Sequence, residues 1–306
     1  MLSVQGLQQR SRLLQAIRSF FYGRDYIEVD TPIRLPVLIP ESNILPFASE
    51  DWFLQTSPEL CMKRLLARGC ERIFQICHCF RKEEQGRLHQ CEFIMLEWYH
   101  TGWSYLELME ECELFVCSLA KTLPTFQGFG ENGTTLLIDD AVVDLTPPWE
   151  YLSVTEAFER YAQRSVEDVL AKDCFDEVLV AEVEPMLGWR KPTFLYDYPT
   201  VLGSLARKKP AAPHLAERFE LYIGGIELAN GFSELADARE QRQRFESEIR
   251  TIHANGREGR VPEQFLIDLP QMGECAGIAL GVERLFMLLS RRDSLLESVP
   301  FDRASL

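Results

Sequence analysis

The most constraining feature of this 306-residue sequence lies between residues 72 and 99. Two extended stretches, about 72–81 and 91–99, flank the polar turn Glu84-Gln85-Gly86-Arg87. Successive strand side chains point to opposite faces. The first stretch therefore carries Gln75, Cys77, Cys79, Arg81 and Glu83 on one face, against Phe74, Ile76, His78 and Phe80 on the other. The second carries Cys91, Phe93, Met95, Glu97 and Tyr99 together, opposite Ile94, Leu96 and Trp98. One face of each strand is greasy. The other mixes a cation, carboxylates and aromatic rings, a choice that a merely solvated face seldom needs. An antiparallel pair of this kind needs a core beneath it and offers a chemical surface above it.

Two more segments add strands. Gly224-Gly225 tolerates positive φ and makes a hairpin turn between residues 219–223 and 226–232. That turn pairs Ile223 with Ile226, Tyr222 with Glu227 and Glu220 with Ala229. Glu220 and Glu227 then share a face as diagonal neighbours about 7–8 Å apart. Two carboxylates within that reach can hold a Mg²⁺ together with phosphate oxygens; two solvated glutamates are the plain alternative. Nearer the end of the chain, Gly277, Ala279 and Gly281 line one face of a strand over 275–281, while Ile278, Leu280 and Val282 pack inward. A face with so little side-chain volume leaves room for a flat ligand, and Arg284 opens the following helix beside it.

Helical spacing of Leu7, Leu13, Leu14, Ile17, Phe20 and Phe21 predicts a first helix stopped by Gly23. After a strand at 52–56, Ser57 as N-cap, Pro58 at the first helical position and Gly69 past the end frame a second. Residues 105–121 and about 236–255 read as further helices. Residues 122–195 mix a short strand pair with helices near 153–163 and 165–172, and show no recognisable chemistry. Strands at both ends of the chain, with no repeat or Pro-rich linker between, predict one α+β domain over 1–306, an antiparallel sheet flanked by helices.

Composition narrows the function. With 46% hydrophobic and 26% charged residues, the chain can bury a sizeable core. No leader-like segment or spanning apolar run is present, so a membrane location is not expected. Nine cysteines without a framework spacing suit a reducing cytoplasm. His78 between Cys77 and Cys79, with His89 and Cys91 nearby, hints at zinc, but no CxxC pair supports it and buried strand packing is the better reading. A net charge of −15 argues against a nucleic-acid partner, which usually meets a basic stripe.

In order, these segments resemble the three signature motifs of class II aminoacyl-tRNA synthetases. Residues 23–32 resemble the first, which in that family helps build a dimer interface; Phe80-Arg81-Lys82-Glu83 with Glu92-Phe93 resemble the second, and residues 277–284 the third. Thr56-Ser57-Pro58-Glu59-Leu60, residues 93–99 and residues 225–235 are similar to the pocket strings of the lysyl branch. Within it, the fit is to short members that attach (R)-β-lysine to a lysine of elongation factor P. The first motif begins by residue 23, so no anticodon-binding domain is expected, and Ala279 stands where the synthetases carry a third glycine.

The resemblance implies a class II synthetase-like catalytic domain, a homodimer, and use of ATP and Mg²⁺ to activate lysine or β-lysine as an adenylate. Arg81 and Arg284 would be the catalytic cations, with Arg81 on the α-phosphate and the reacting carboxylate. Phe93 and Arg284 would sandwich adenine, with Glu83 reading its edge. Arg87 and His89 would reach the outer phosphates, and Gln90, Leu228 and Gly281 would also line the ATP site; Gln90-Cys91 departs from the family's common Asn-Pro. Glu220 and Glu227 would hold Mg²⁺. Glu59 and Glu97 would receive one substrate ammonium, Tyr99 and Glu234 the distant one, and Asn230 the carboxylate, with Ser57, Pro58 and Ala279 beside them. Two ammonium groups need carboxylates at both ends of their slot.

One point resists simple alternation. Asn230, Phe232 and Glu234 have the opposite parity to Glu227, so a regular strand would aim them away from the site. A bulge near Ala229-Asn230-Gly231 would repair this. The expected chemistry is in-line attack of the substrate carboxylate on the α-phosphorus, expelling pyrophosphate, then transfer to an amine of elongation factor P. A tRNA hydroxyl or free amine as acceptor, and a catalytically silent binding module, are the competing readings.

Overall fold

The computed structural model describes residues 1–130 and 133–301. Helix α1 (Val4–Tyr22) begins where the Ser3 hydroxyl accepts from the Gly6 N–H at 3.1 Å and ends at Gly23, burying Leu13, Ile17, Phe20 and Phe21 of the predicted face and leaving Leu7, at its first turn, exposed. Strand β1 (Ile27–Glu28) follows, then β2 (Arg34–Leu35), β3 (Ala48–Ser49) and β4 (Trp52–Leu54), which form a small sheet of their own in the order β2-β4-β3. Helix α2 (Glu59–Leu66) starts one residue later than expected. Pro58 takes the N-cap position in an αR conformation without a side-chain cap, so Ser57 caps nothing. Glu59 heads the helix instead, where the positive end of the dipole favours a carboxylate.

Strands β5 (Arg72–Phe80) and β6 (Glu92–Thr101) pair antiparallel as expected, with Gln75 opposite Glu97, Cys77 opposite Met95 and Cys79 opposite Phe93. Helix α3 (Tyr105–Thr122) is fixed at its start by a Ser104/Glu107 capping box. The middle holds a hairpin, β7 (Thr135–Ile138) and β8 (Ala141–Asp144), then β9 (Glu150–Ser153), α4 (Val154–Ala157), α5 (Val166–Ala171), α6 (Phe175–Val178) and β10 (Thr193–Pro199). β9, β10 and the turns around 175–186 went unread because this stretch has neither clean alternation nor long helical spacing. It is nevertheless part of the site. β10 joins the central sheet beside β12, and its Tyr198 packs with Phe158, Phe175 and Tyr222 in a second core.

The chain continues through β11 (Lys208–Lys209), β12 (Ala212–Ile223), β13 (Ile226–Ser233), α7 (Ala238–Ala254), α8 (Glu263–Asp268), β14 (Cys275–Gly281) and α9 (Val282–Leu289). The main sheet runs β1-β5-β6-β14-β13-β12-β10-β9, with β11 on β12. It is antiparallel through the centre, as expected, and parallel at both ends, β1 with β5 and β10 with β9. Beneath it lie Phe21, Phe74, Trp98, Phe115, Leu280 and Phe286 from α1, α3, α9 and the strands. The buried Glu283 carboxylate ties these layers, accepting from Arg10 at 3.0 Å and from the Ile94 N–H at 2.8 Å. On the opposite face α2, α7 and α8 contribute Leu60, Met62, Phe245 and Phe265 around Tyr99. Among the described residues, no helix is long and apolar enough to cross a membrane.

Candidate active site

Strand register alone sets out the site. Gln75, Glu97, Ala279, Asn230 and Glu220 stand in one row across β5, β6, β14, β13 and β12. Tyr99, Gly277, Phe232 and Arg218 form the next row. These rows exist because β13 is bulged. Tyr222 opposes Glu227, yet Leu221 opposes Ala229, so Leu228 is the extra residue. The bulge lies just before the stretch where parity required one, and past it Asn230 and Phe232 reach the same cavity as Glu227. It also corrects the hairpin register, since Glu220 faces Asn230 rather than Ala229. Above the rows opens a cavity of about 900 Å³, within the range of small-molecule sites.

One end of the cavity is rich in carboxylates. Glu97 on the wall and Glu234, which lies behind the wall beside Gly277, are each 2% exposed, and the Tyr99 hydroxyl donates to Glu97 at 2.5 Å. Gly277 is required between them. A Cβ there would stand 2.2 Å from the Tyr99 ring and 2.6 Å from Glu234 Oε1. A side chain at Gly277 would thus collide with these two groups, and Gly277, Ala279 and Gly281 all lie on the cavity wall. Lys63, missed in the sequence, lies buried between Glu59, at 2.5 Å, and Glu234. Its position four residues after Glu59 on one helix face was the available signal. Burial works against the Lys63 ammonium, but Glu234 and Glu59 outweigh it and raise its pKa. Burial, with Glu59 adding, pushes Glu97 well above the usual carboxylate range. Burial also pushes Glu234 up to about 8, although Lys63 pulls the other way. Three carboxylates therefore face one ammonium, and Glu234 Oε1 has no hydrogen-bond partner among the described residues.

That electrostatic imbalance has a measurable consequence. A cationic substrate binds the ionised carboxylate, and Glu234 ionises only as pH rises through about 8. The kcat/KM for a lysine-type substrate is expected to climb between pH 7 and 9, then fall as the substrate amines lose their own protons. Pyrophosphate exchange across that range measures it; a flat profile would remove Glu234 from ammonium recognition.

The other end is built for an anion and a flat ring. The Arg81 guanidinium lies 5.3 Å from the Phe93 ring centroid, with its Nε 3.4 Å from the Thr56 carbonyl and Nη1 3.6 Å from Glu84. Arg284 donates to the Glu227 carbonyl at 2.7 Å, to Glu227 Oε2 at 3.1 Å and to the Leu88 carbonyl at 3.2 Å. His89 Nε2 stands 2.9 Å from Arg284, and burial plus that guanidinium lower its pKa, so the ring is a neutral acceptor. Gln90 Nε2 is buried without a partner among the described residues and lies on the cavity wall, with Leu228 and Ser57.

Five expected placements need correction. Glu83 adopts φ 71 and lines a second cavity with Lys82, whose N–H is held by the Leu45 carbonyl; Glu84 takes the place on the main wall. Arg87 is exposed, donates to the Asp293 carbonyl at 3.2 Å and lies off the wall. Pro58 is buried as the α2 cap and is also off the wall. Glu220 is already saturated. Its Oε1 accepts from Arg218 at 2.7 Å and Asn230 at 3.0 Å, and its Oε2 from the Tyr198 and Tyr222 hydroxyls at 2.6 Å each. A carboxylate has about four lone-pair sites, so none remains for a cation in this arrangement. Asn230, expected on the substrate carboxylate, spends its amide on Glu220 and Arg218. Arg218, Tyr198, Tyr222 and Glu184 are site residues that the sequence did not reveal. Among the described residues, no group of three or more His, Cys, Asp or Glu is arranged to hold a metal.

Comparison with known proteins agrees with this geometry. The family model for tRNA synthetases class II (D, K and N) matches residues 3–305. Proteins named elongation factor P–(R)-β-lysine ligase, from Salmonella gallinarum (strain 287/91) and Salmonella paratyphi B, are each 38% identical to this chain, covering 99% of it and 97% of their own length. One from Salmonella heidelberg (strain SL476) matches to the same extent. The chain belongs to the class II tRNA synthetase family, D, K and N group, and is similar over its whole length to the elongation factor P–(R)-β-lysine ligases.

Proposed function

We propose that this chain is an ATP-dependent ligase that activates (R)-β-lysine as its adenylate and transfers it to a lysine side chain of elongation factor P. The observation that carries the reading is the imbalance at the closed end of the cavity, where Glu59, Glu97 and Glu234 meet a single buried cation, Lys63. Burying unpaired carboxylates is costly, and a substrate with two ammonium groups removes that cost. The cavity then runs on to Phe93, Arg81 and Arg284, as an adenylate requires.

In this reading Arg81 draws the α-phosphate and the substrate carboxylate together, and its fixed charge stabilises the transition state for in-line displacement of pyrophosphate. Adenine lies between Phe93 and Arg284, whose cation is steadied by Glu227. Glu227 keeps Oε1 free of protein donors among the described residues, so it is the residue placed to hold Mg²⁺, which would neutralise charge on the outer phosphates. No protein nucleophile is needed. Exposed Tyr22, Ile27 and Ile33 around the first motif support a homodimer there, and nine free cysteines support a reducing cytoplasm.

The decisive experiment is mass spectrometry of elongation factor P after incubation with this protein, ATP and either (R)-β-lysine or α-lysine. A mass gain of one lysyl unit supports the reading. Acylation of tRNA with elongation factor P left unchanged overturns it.

Isomer choice gives a sharper prediction. Ala279 sits between Glu97 and Asn230 in the row, with its methyl on the cavity wall. The β isomer carries its nearer amine one carbon further from the carboxylate, so the methyl crowds the α-amine and spares the β one. Ala279→Gly is expected to raise kcat/KM for α-lysine relative to (R)-β-lysine by roughly tenfold, the scale of one methyl. Exchange assays with both isomers measure the ratio, and an unchanged ratio makes Ala279 a packing residue.

A further inference from the structure

The transfer step needs something the adenylate-forming residues do not supply. A lysine side chain is an ammonium at neutral pH, with an ordinary pKa of about 10.4, and an ammonium has no lone pair with which to attack. Glu41 is a carboxylate on the cavity wall with no assigned task. Glu41 lies in the loop before β3, and its carboxylate has no hydrogen bond or ion pair among the described residues. With Pro40 and Ile44, it lies on the wall shared by the main cavity and a second one of about 570 Å³. Much of that second cavity is lined by Pro36, Leu38, Leu45, Trp52 and Phe53, and Glu50, Asp51 and Glu258 are also on its wall.

The loop is pinned just past Glu41. The Ser42 N–H donates to Glu248 at 2.8 Å, Arg257 holds the Ser42 carbonyl and, at 3.1 Å, that of Ile44, and the Lys82 N–H donates to Leu45 at 2.6 Å. Four charges face Glu41 from the elements around it: Arg81 past β5, Glu59 of α2, Glu248 of α7 and Arg218 of β12. Burial pushes its carboxyl up to about 7, with Arg81 and Arg218 restraining the rise and Glu59 and Glu248 adding to it. A base poised near the working pH is the effective kind.

We propose that Glu41 is the proton acceptor for the incoming amine in the transfer step, with the acceptor lysine arriving from the second cavity. The inference rests on the proposed transfer to a lysine side chain. One proton passes from the ammonium to Glu41. The freed nitrogen pair attacks the acyl carbon, the N–C bond forms, and the bond from that carbon to the phosphate oxygen breaks, AMP leaving with the electron pair. The remaining extra proton on nitrogen goes to solvent, which completes the amide.

The test separates the two half-reactions in Glu41→Gln and Glu41→Asp. Adenylate formation, read by pyrophosphate exchange, is expected to persist in Glu41→Gln and also reports that the variant folds. Single-turnover transfer from preformed adenylate to elongation factor P is expected to slow about a hundredfold at pH 7. The deficit should shrink toward pH 10, where the acceptor amine loses its proton unaided. Glu41→Asp should recover part of the rate. Hydroxylamine, already neutral at pH 7, should discharge the adenylate equally from wild type and variant. Equal transfer rates for wild type and Glu41→Gln would overturn the assignment, as would a raised KM for the amino acid in exchange, which would make Glu41 a substrate-amine ligand. If the wild type forms adenylate but never modifies elongation factor P, the transfer reading itself fails and this proposal with it.

Discussion

Arg81→Ala is expected to lower adenylate formation by about 10²–10³, the usual cost of removing one preorganised charge from a developing anion. The guanidinium sits just past the end of β5, stacked on Phe93 and steered by the Thr56 carbonyl and Glu84. None of these contacts holds the core together, so the variant should fold. Its charge is aimed at open cavity, and that is what the alanine removes. Arg81→Lys should recover little, because an ammonium lacks the planar fork that spans two oxygens at once. Pyrophosphate exchange within tenfold of wild type would remove Arg81 from the catalytic machinery, whatever its position.

How legible the site was depended on the kind of information each residue carries. Alternation in residues 72–99 placed Glu97, Tyr99 and Phe93 on one face because strand parity is local, and the observed register keeps them there. The parity clash at Asn230 showed that β13 must be irregular, and the Leu228 bulge is that irregularity. Other facts are not local. Glu83 and Glu84 are neighbours, and a single positive φ decides which one meets the cavity. Glu220 looked free as half of an acidic pair, but Tyr198 and Arg218, neither of which the sequence reading had placed in the site, saturate it. Glu41 sits in a loop whose place against α7 depends on Arg257, more than two hundred residues later in sequence. Periodicity does not describe such contacts.

Lys63→Met is expected to destabilise the fold by about 3–5 kcal/mol at pH 9, the cost of leaving a buried charge without its partner, with a loss at pH 6 smaller by about 1 kcal/mol. The methionine fills nearly the same volume, so the loss is electrostatic. Lys63 is 2% exposed and touches both Glu59 and Glu234. The sign of the pH dependence follows from Glu234, whose pKa burial already raises to about 8 against the pull of Lys63. Without that pull it rises further. A carboxyl whose folded pKa lies above its unfolded value contributes stability below the unfolded value, and that contribution fades as pH climbs through the folded one. The variant's deficit should therefore grow above about pH 8, where Glu234 ionises beside Lys63 in the wild type but resists ionising unpaired in the variant. Urea titrations at pH 6 and 9 measure this, and equal deficits at both would mean that Lys63 matters for packing rather than charge. Adding Glu234→Gln should restore most of the stability at pH 9 yet leave lysine-type substrates poorly bound, because the distant ammonium then finds no carboxylate. Recovery of stability together with full substrate affinity would place the ammonium elsewhere in the cavity.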